Sequence, residues 1–110
     1  MTKRYLGTFE QAVLLALASL EGDAGGMSIV DALVDAGGRE VSVPAVYVTL
    51  KRLENKGLVA SEVRDDDGDG PPRRKFFTLL PAGVAELTKT KDLLESLWTR
   101  VSLERLGGKA

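Results

Sequence analysis

A chain of 110 residues with neither cysteine nor histidine has no disulfide, no thiolate nucleophile and no imidazole, so the commonest general base and the commonest transition-metal ligands are absent before any motif is read. Its 44% hydrophobic and 28% charged residues fit one compact domain with or without an appendage, and not a disordered or fibrous chain. The formal net charge of −1 neither demands nor forbids a nucleic-acid partner, which leaves that question to the local distribution of charge.

The first residues, MTKRYLGTFE, lack the pattern of a secretory leader. The longest apolar run, AVLLALA at residues 12–18, is far too short to span a bilayer. The expectation is a cytoplasmic protein without a membrane partner. Thr8 and Gln11 form a Thr-x-x-Gln capping box, which predicts a helix over residues 9–20. Phe9, Val13, Ala16 and Leu20 recur at helical spacing, while Leu14, Leu15 and Leu17 lie on other faces. A helix apolar nearly all round needs cover from several sides, including from outside its own small domain.

EGDAGGM reads as a loop. Ser28 then caps a short helix carrying Ile29, Ala32, Leu33 and Ala36, which Gly37 and Gly38 terminate. Residues 39–41 predict a very short strand. The third helix starts at Ser42, has Pro44 in its first turn, where a missing N–H costs nothing, and ends at Gly57. Its inner face is Val43, Val46, Leu50 and Leu53. Its outer face is Pro44, Val48, Lys51 and Asn55, flanked by Tyr47 and Arg52. Residues 58–63 and 75–79 predict two strands of a hairpin. From Pro81 a long helix extends to about Leu106, with Val84, Leu87, Leu94, Leu97, Trp98 and Val101 on one stripe.

Between the two strands lies RDDDGDGPPRRKFF, with an acidic run followed by three basic residues. Asp65, Asp67, Asp69 and Gly70 match the first half of a calcium-binding loop, but the position that needs a bidentate glutamate holds Phe76. No metal and no cofactor is expected, and no nucleophile–base pair supports an enzyme. Three helices followed by a hairpin, with a polar and basic outer face on the third helix, is the order of a winged helix-turn-helix. The fold class read from the chain is thus mainly α with a small β-hairpin wing. It divides into a winged helix-turn-helix domain at residues 1–80 and a C-terminal dimerisation helix and tail at residues 81–110.

Three segments carry a family resemblance: YLGTFEQAVLLAL near the start, REVSVPAVYVTLKRLENKGLV in the middle and RRKFFTLLPAG after the hairpin turn. With S-x-x-x-x-Y-x-x-L-x-R-L-E-x-K-G-L-V as its most specific piece, at residues 42–59, the chain resembles the PadR family of bacterial transcriptional regulators over roughly residues 5–83. The resemblance implies a repressor that binds double-stranded DNA as a homodimer on an inverted-repeat operator. There are departures. Gly25 stands where the family has an aromatic, Phe76 and Phe77 replace paired tyrosines, and Leu80 replaces a threonine that caps the last helix in relatives.

On the third helix Tyr47, Thr49, Lys51 and Arg52 are the expected DNA contacts, with Ser42, Pro44, Ala45 and Val48 at the start of the helix facing the groove. Small side chains there admit close approach, and methyl groups can read thymine. Arg73, Arg74 and Lys75 are placed to anchor phosphates, whereas the aspartates of the turn would be repelled by them. The plainer readings are a solvated basic surface for the cations and partial burial against the wing for Tyr47. Val84, Leu87, Leu94, Leu97, Trp98 and Val101 form the expected dimer interface. Some relatives take aromatic effectors there, so Trp98 and Phe9 are candidates to wall a small aromatic or hydrophobic effector, against the plainer reading that Trp98 only buries area. The competing class is a winged-helix protein-interaction module without DNA binding, favoured by the acidic turn and the net charge.

Overall fold

The computed structural model describes residues 5–37, 40–64 and 74–107. In chain order the elements are α1 (Thr8–Ser19), β1 (Ala24–Gly25), α2 (Gly26–Gly37), α3 (Val43–Asn55), β2 (Val59–Arg64), β3 (Arg74–Leu79) and α4 (Pro81–Trp98). The three strands form one antiparallel sheet in the order β1-β3-β2. Within it Val59 pairs with Leu79 and Arg64 with Arg74, so the hairpin runs from a buried base to an exposed outer end. This is the expected winged helix-turn-helix. Helix α3 lies over a core of Val13, Leu14, Leu17, Ile29, Val46, Leu50, Leu53, Val59 and Phe77.

Helix α3 follows its local signals closely. The Ser42 hydroxyl accepts a hydrogen bond from the Ala45 N–H at 3.3 Å, and Pro44 sits in the first turn. At the other end Gly57 has φ of +76°. Its N–H donates to the Glu54 carbonyl at 2.9 Å and the Leu58 N–H to the Leu53 carbonyl at 3.0 Å. Those two bonds satisfy carbonyls the helix leaves open and turn the chain into β2, with Leu53 and Leu58 both in the core.

Several expectations need correction. Helix α1 begins one residue early and is capped from Gly7, whose N–H donates to Glu10 Oε1 at 3.1 Å. Glu10, not Gln11, is therefore the residue that reaches back. Within α1 the buried residues are Val13, Leu14, Ala16 and Leu17, whereas Phe9, Leu15 and Leu20 are exposed. In α2, Ser28 is inside the helix and not its cap, and Ala36 is exposed. Glu40 and Val41 form no strand. The third strand is instead β1, where Ala24 faces Phe77 and Gly25 faces Phe76. Helix α4 stops at Trp98, near 27 Å at ~1.5 Å per residue, and not near Leu106. Beyond it the Thr99 hydroxyl donates to the Ser96 carbonyl, and Ser102 Oγ accepts from the Arg105 N–H. Such local bonds compete with a continuing helix.

Helices α1 and α3 are tied by an ion pair, Lys56 Nζ to Glu10 Oε2 at 2.7 Å. The hydrogen bond from Lys56, with help from the Gly7 N–H, holds the Glu10 carboxyl below its ordinary pKa despite partial burial. A depressed carboxyl adds stability that is present above its unfolded pKa and is lost as pH falls through the folded one. Glu10→Gln is expected to cost about 1 kcal/mol at neutral pH, a value limited by the exposure of Lys56. Urea unfolding of both proteins at pH 7 and pH 3 should show the difference shrinking at the lower pH. An equal difference at both would assign the effect to packing.

Candidate nucleic-acid interface

The inner residues of α3 fix what its outer face can be. With Val46, Leu50 and Leu53 fully buried, the helical period leaves Ser42, Pro44, Tyr47, Val48, Lys51, Arg52 and Asn55 exposed along the opposite side. Val48 is 57% exposed and leaves its two methyl groups open on this face. Ala45 is half-buried. Thr49 is a correction: at 5% exposure it packs in the interior beside Val46, Leu50 and Leu53, and cannot reach a base edge. Arg52 lies in the last turn of α3 and Lys56 caps it, so both also complement the negative end of the helix dipole.

Tyr47 is placed by a contact that the sequence does not announce. Its ring lies so close to Gly26, the buried first residue of α2, that a Cβ there would be 2.4 Å from the phenol oxygen. Tyr47 also lines a cleft of about 500 Å³ with Gly25, Gly26, Met27, Ser28, Arg74, Lys75 and Phe76. The start of α2, the outer face of α3 and the returning strand of the hairpin thus meet at one junction.

On the hairpin, Arg74 and Lys75 are exposed at the outer end of β3, and Arg73 lies outside the described residues, as do Asp65, Asp67, Asp69 and Gly70. Lys75 Nζ is 3.9 Å from Glu54 Oε1 of α3, and the other oxygen of that carboxylate accepts from the Ser61 hydroxyl of β2. Glu54 therefore links α3 to both strands of the wing. Arg64 was not singled out from the sequence. It pairs with Asp23 and Glu62 and lies 4.5 Å from the centre of the Phe76 ring. Its hydrogen bonds to Asp23 and then Glu62 raise its already high pKa. Its partner Asp23 lies 41 residues away in the chain, so no local spacing marks the pair. Phe76 offers its ring face to a cation.

Of the stripe expected at a dimer interface, Val84, Leu94, Leu97, Trp98 and Val101 are exposed. Leu87 is partly buried against the core of its own chain, and Val101 lies past the end of α4. Phe9 and Trp98 are 41% and 59% exposed. A cleft lined by Thr99, Arg100, Val101, Ser102, Arg105 and Leu106 and another lined by Tyr5, Leu6, Lys56, Leu58, Ala82, Ala85 and Glu86 include neither. Among the described residues no group of acidic side chains could hold a metal ion, and no helix is long and apolar enough to cross a membrane.

Three comparisons bear on this geometry. Transcriptional regulator Rv3488 of Mycobacterium tuberculosis is 41% identical over 73 residues, covering 66% of this chain and 62% of that protein. The match thus spans less than two thirds of that relative's length. The crystal structure of a PadR family transcriptional regulator from Eggerthella lenta is 28% identical, with a TM-score of 0.68 over 89% of this chain and 82% of that one. Bacillus subtilis PadR, solved in complex with operator DNA, is 21% identical with a TM-score of 0.63, over 76% of this chain and 46% of that one; that likeness is one of fold. The model of the transcriptional regulator PadR-like family matches residues 14–89, from the core of α1 through the wing into α4. The chain belongs to the PadR-like family of transcriptional regulators.

Proposed function

We propose that this regulator is a repressor that binds an inverted-repeat operator as a homodimer, with α3 in the major groove and the wing on the backbone. One observation carries the reading: α3 presents an exposed face of Pro44, Tyr47, Val48, Lys51 and Arg52 beside the basic end of β3. Small and apolar groups permit close approach to base edges, while Lys51 and Arg52 can hydrogen-bond guanine or phosphate. Ser42, with its hydroxyl committed to the helix cap, and half-buried Ala45 shape the start of that face. Arg73, Arg74 and Lys75 serve as phosphate anchors. Two α3 helices related by a two-fold axis call for two half-sites. Residues 1–80 form the DNA-binding unit, and residues 81–110 the dimerisation unit. Release by a small aromatic or hydrophobic effector at the dimer interface is the regulatory part of the proposal. The 59% exposure of Trp98 supports it, by leaving a large ring face to be covered.

Fluorescence anisotropy of labelled duplex from upstream of the chain's own gene, over a series of salt concentrations, tests the reading. Lys51→Ala and Arg52→Ala should each weaken binding about tenfold, and a base-reading contact should also lose preference for the operator over unrelated duplex. Replacing Arg73, Arg74 and Lys75 together by alanine should weaken all duplexes alike and flatten the salt slope by about 2.7 if three phosphates are involved. An unchanged slope would remove the wing from the interface. No binding to any duplex would favour a protein-interaction module.

A further inference from the structure

The contact between Gly26 and Tyr47 joins two elements at the junction where DNA would approach. Gly26 opens α2 and is buried. A Cβ at that position would lie 2.4 Å from Tyr47 Cζ, 2.4 Å from its hydroxyl oxygen and 2.5 Å from Cε1. All three atoms belong to the outer end of the phenol ring, so a side chain at residue 26 would occupy the space that the hydroxyl and its carbon now fill. Tyr47 nevertheless remains 39% exposed. One flank of the ring is seated on the backbone of α2, and the rest faces the cleft that Arg74 and Lys75 line.

An exposed tyrosine on a helix surface has several staggered rotamers open to it. Packing against Gly26 selects one, and a contact group already held in its bound position loses less freedom on binding. We infer that Gly26 is a positioning residue for DNA recognition: the side chain it lacks lets Tyr47 lie on the start of α2, with the phenol hydroxyl set to donate to a DNA phosphate between α2 and the wing. The inference rests on the proposed DNA-binding role and deepens it, because it assigns Tyr47 to backbone positioning and not to base reading. The departure at Gly25 leaves this arrangement intact, since a Cβ at position 25 would come no nearer than 4.0 Å to Lys75 and Phe76 and would not touch Tyr47.

The consequence is an unusual separation of stability from affinity. The atoms that crowd residue 26 are the far end of a side chain that can swing aside, so Gly26→Ala should fold, with a melting temperature within about 3 °C of wild type. The displaced hydroxyl should cost about tenfold in affinity for operator duplex, the typical worth of a hydrogen bond to a charged group. Tyr47→Phe, which keeps the ring and removes the hydroxyl, should cost about the same on operator and on unrelated duplex. Adding Gly26→Ala to Tyr47→Phe should then cost less than about twofold more, because the group through which Gly26 acts is already gone.

The test is this four-protein cycle, read by anisotropy on operator and unrelated duplex and by thermal unfolding without DNA. Unaltered affinity in Gly26→Ala would overturn the inference, as would a full tenfold loss added on top of Tyr47→Phe. A Tyr47→Phe variant that loses preference for the operator would return Tyr47 to base reading. If Gly26→Ala does not fold, combining it with Tyr47→Leu should restore folding with the affinity of Tyr47→Leu alone, and a double variant still unfolded would overturn the packing account. Wild-type protein that binds no duplex would remove the DNA-binding reading itself. Wild-type protein that binds, with Gly26→Ala binding equally well, would remove only this inference.

Discussion

Gly83→Val is expected to lower the free energy of unfolding by about 3 kcal/mol, the upper range for forcing volume into a packed site. Gly83 is buried in the first turn of α4, and a Cβ there would lie 2.4 Å from the Leu58 carbonyl oxygen and 2.6 Å from Leu79 Cδ1. The first of these is backbone and cannot swing away. The same carbonyl accepts from the Leu80 N–H at 3.0 Å, so moving it would also disturb the bond that seats α4 on the base of the wing. Elsewhere in a helix, replacing glycine by a residue with a side chain ordinarily adds stability or costs little. Gly37→Ala is the matching control, because a Cβ there meets nothing within 4 Å, and it should be neutral or slightly stabilising. Urea unfolding decides the matter: Gly83→Val within about 0.5 kcal/mol of wild type would mean that α4 can lift from the wing at little cost.

The second large effect concerns assembly. Val84, Leu94, Leu97 and Trp98 are all exposed on one 18-residue helix, and α1 adds exposed Phe9 and Leu15. Isolated apolar residues on a surface are ordinary, but a run of this kind on one helix marks a surface that is covered in use. Sedimentation at micromolar concentration should find wild-type dimers. Replacing Leu94 and Leu97 together by glutamate should shift the protein to monomers, with the dissociation constant raised more than about a hundredfold, since two carboxylates would have to be buried unpaired. A folded wild-type monomer at that concentration would contradict the proposed dimer. Half-buried Leu87 belongs with the core of its own chain and makes a poor choice for this test.

Helix α3 was legible because its signals are local. Ser42, Pro44 and Gly57 each act through backbone geometry within one turn, and the spacing of Val46, Leu50 and Leu53 determines the opposite face by subtraction. Helix α1 was read less well. Its leucines surround the axis, so periodicity has no preferred side to report, and only packing decided that Leu14 and Leu17 go inward while Phe9 and Leu20 do not. Strand β1 was invisible because two residues carry no alternation, and its existence depends on β3 having an open edge beside Phe76 and Phe77. The end of α4 was overestimated because an apolar stripe continues through Val101, whereas the Arg100 and Val101 N–H groups bond three residues back, to Leu97 and Trp98, and leave the α-helical ladder. In the interface, Thr49 sits at the border of the two faces of α3, where one residue of angular error turns a buried hydroxyl into an apparent contact. The seat of Tyr47 on Gly26, the pair of Glu54 with Lys75 and the pair of Arg64 with Asp23 join residues remote in sequence, and no spacing rule reports them.

Selection of bound duplexes from a randomised DNA pool at physiological salt tests the central claim most directly, because it presupposes no target gene. A homodimer reading DNA through two α3 helices should enrich an inverted repeat, with half-site centres separated by one helical turn of about 10 base pairs or a multiple of it. The Lys51→Ala/Arg52→Ala protein should enrich that repeat weakly or not at all. A pool that stays random with the folded wild-type protein would contradict the account, and so would a single unrepeated half-site recovered by a protein shown to be dimeric.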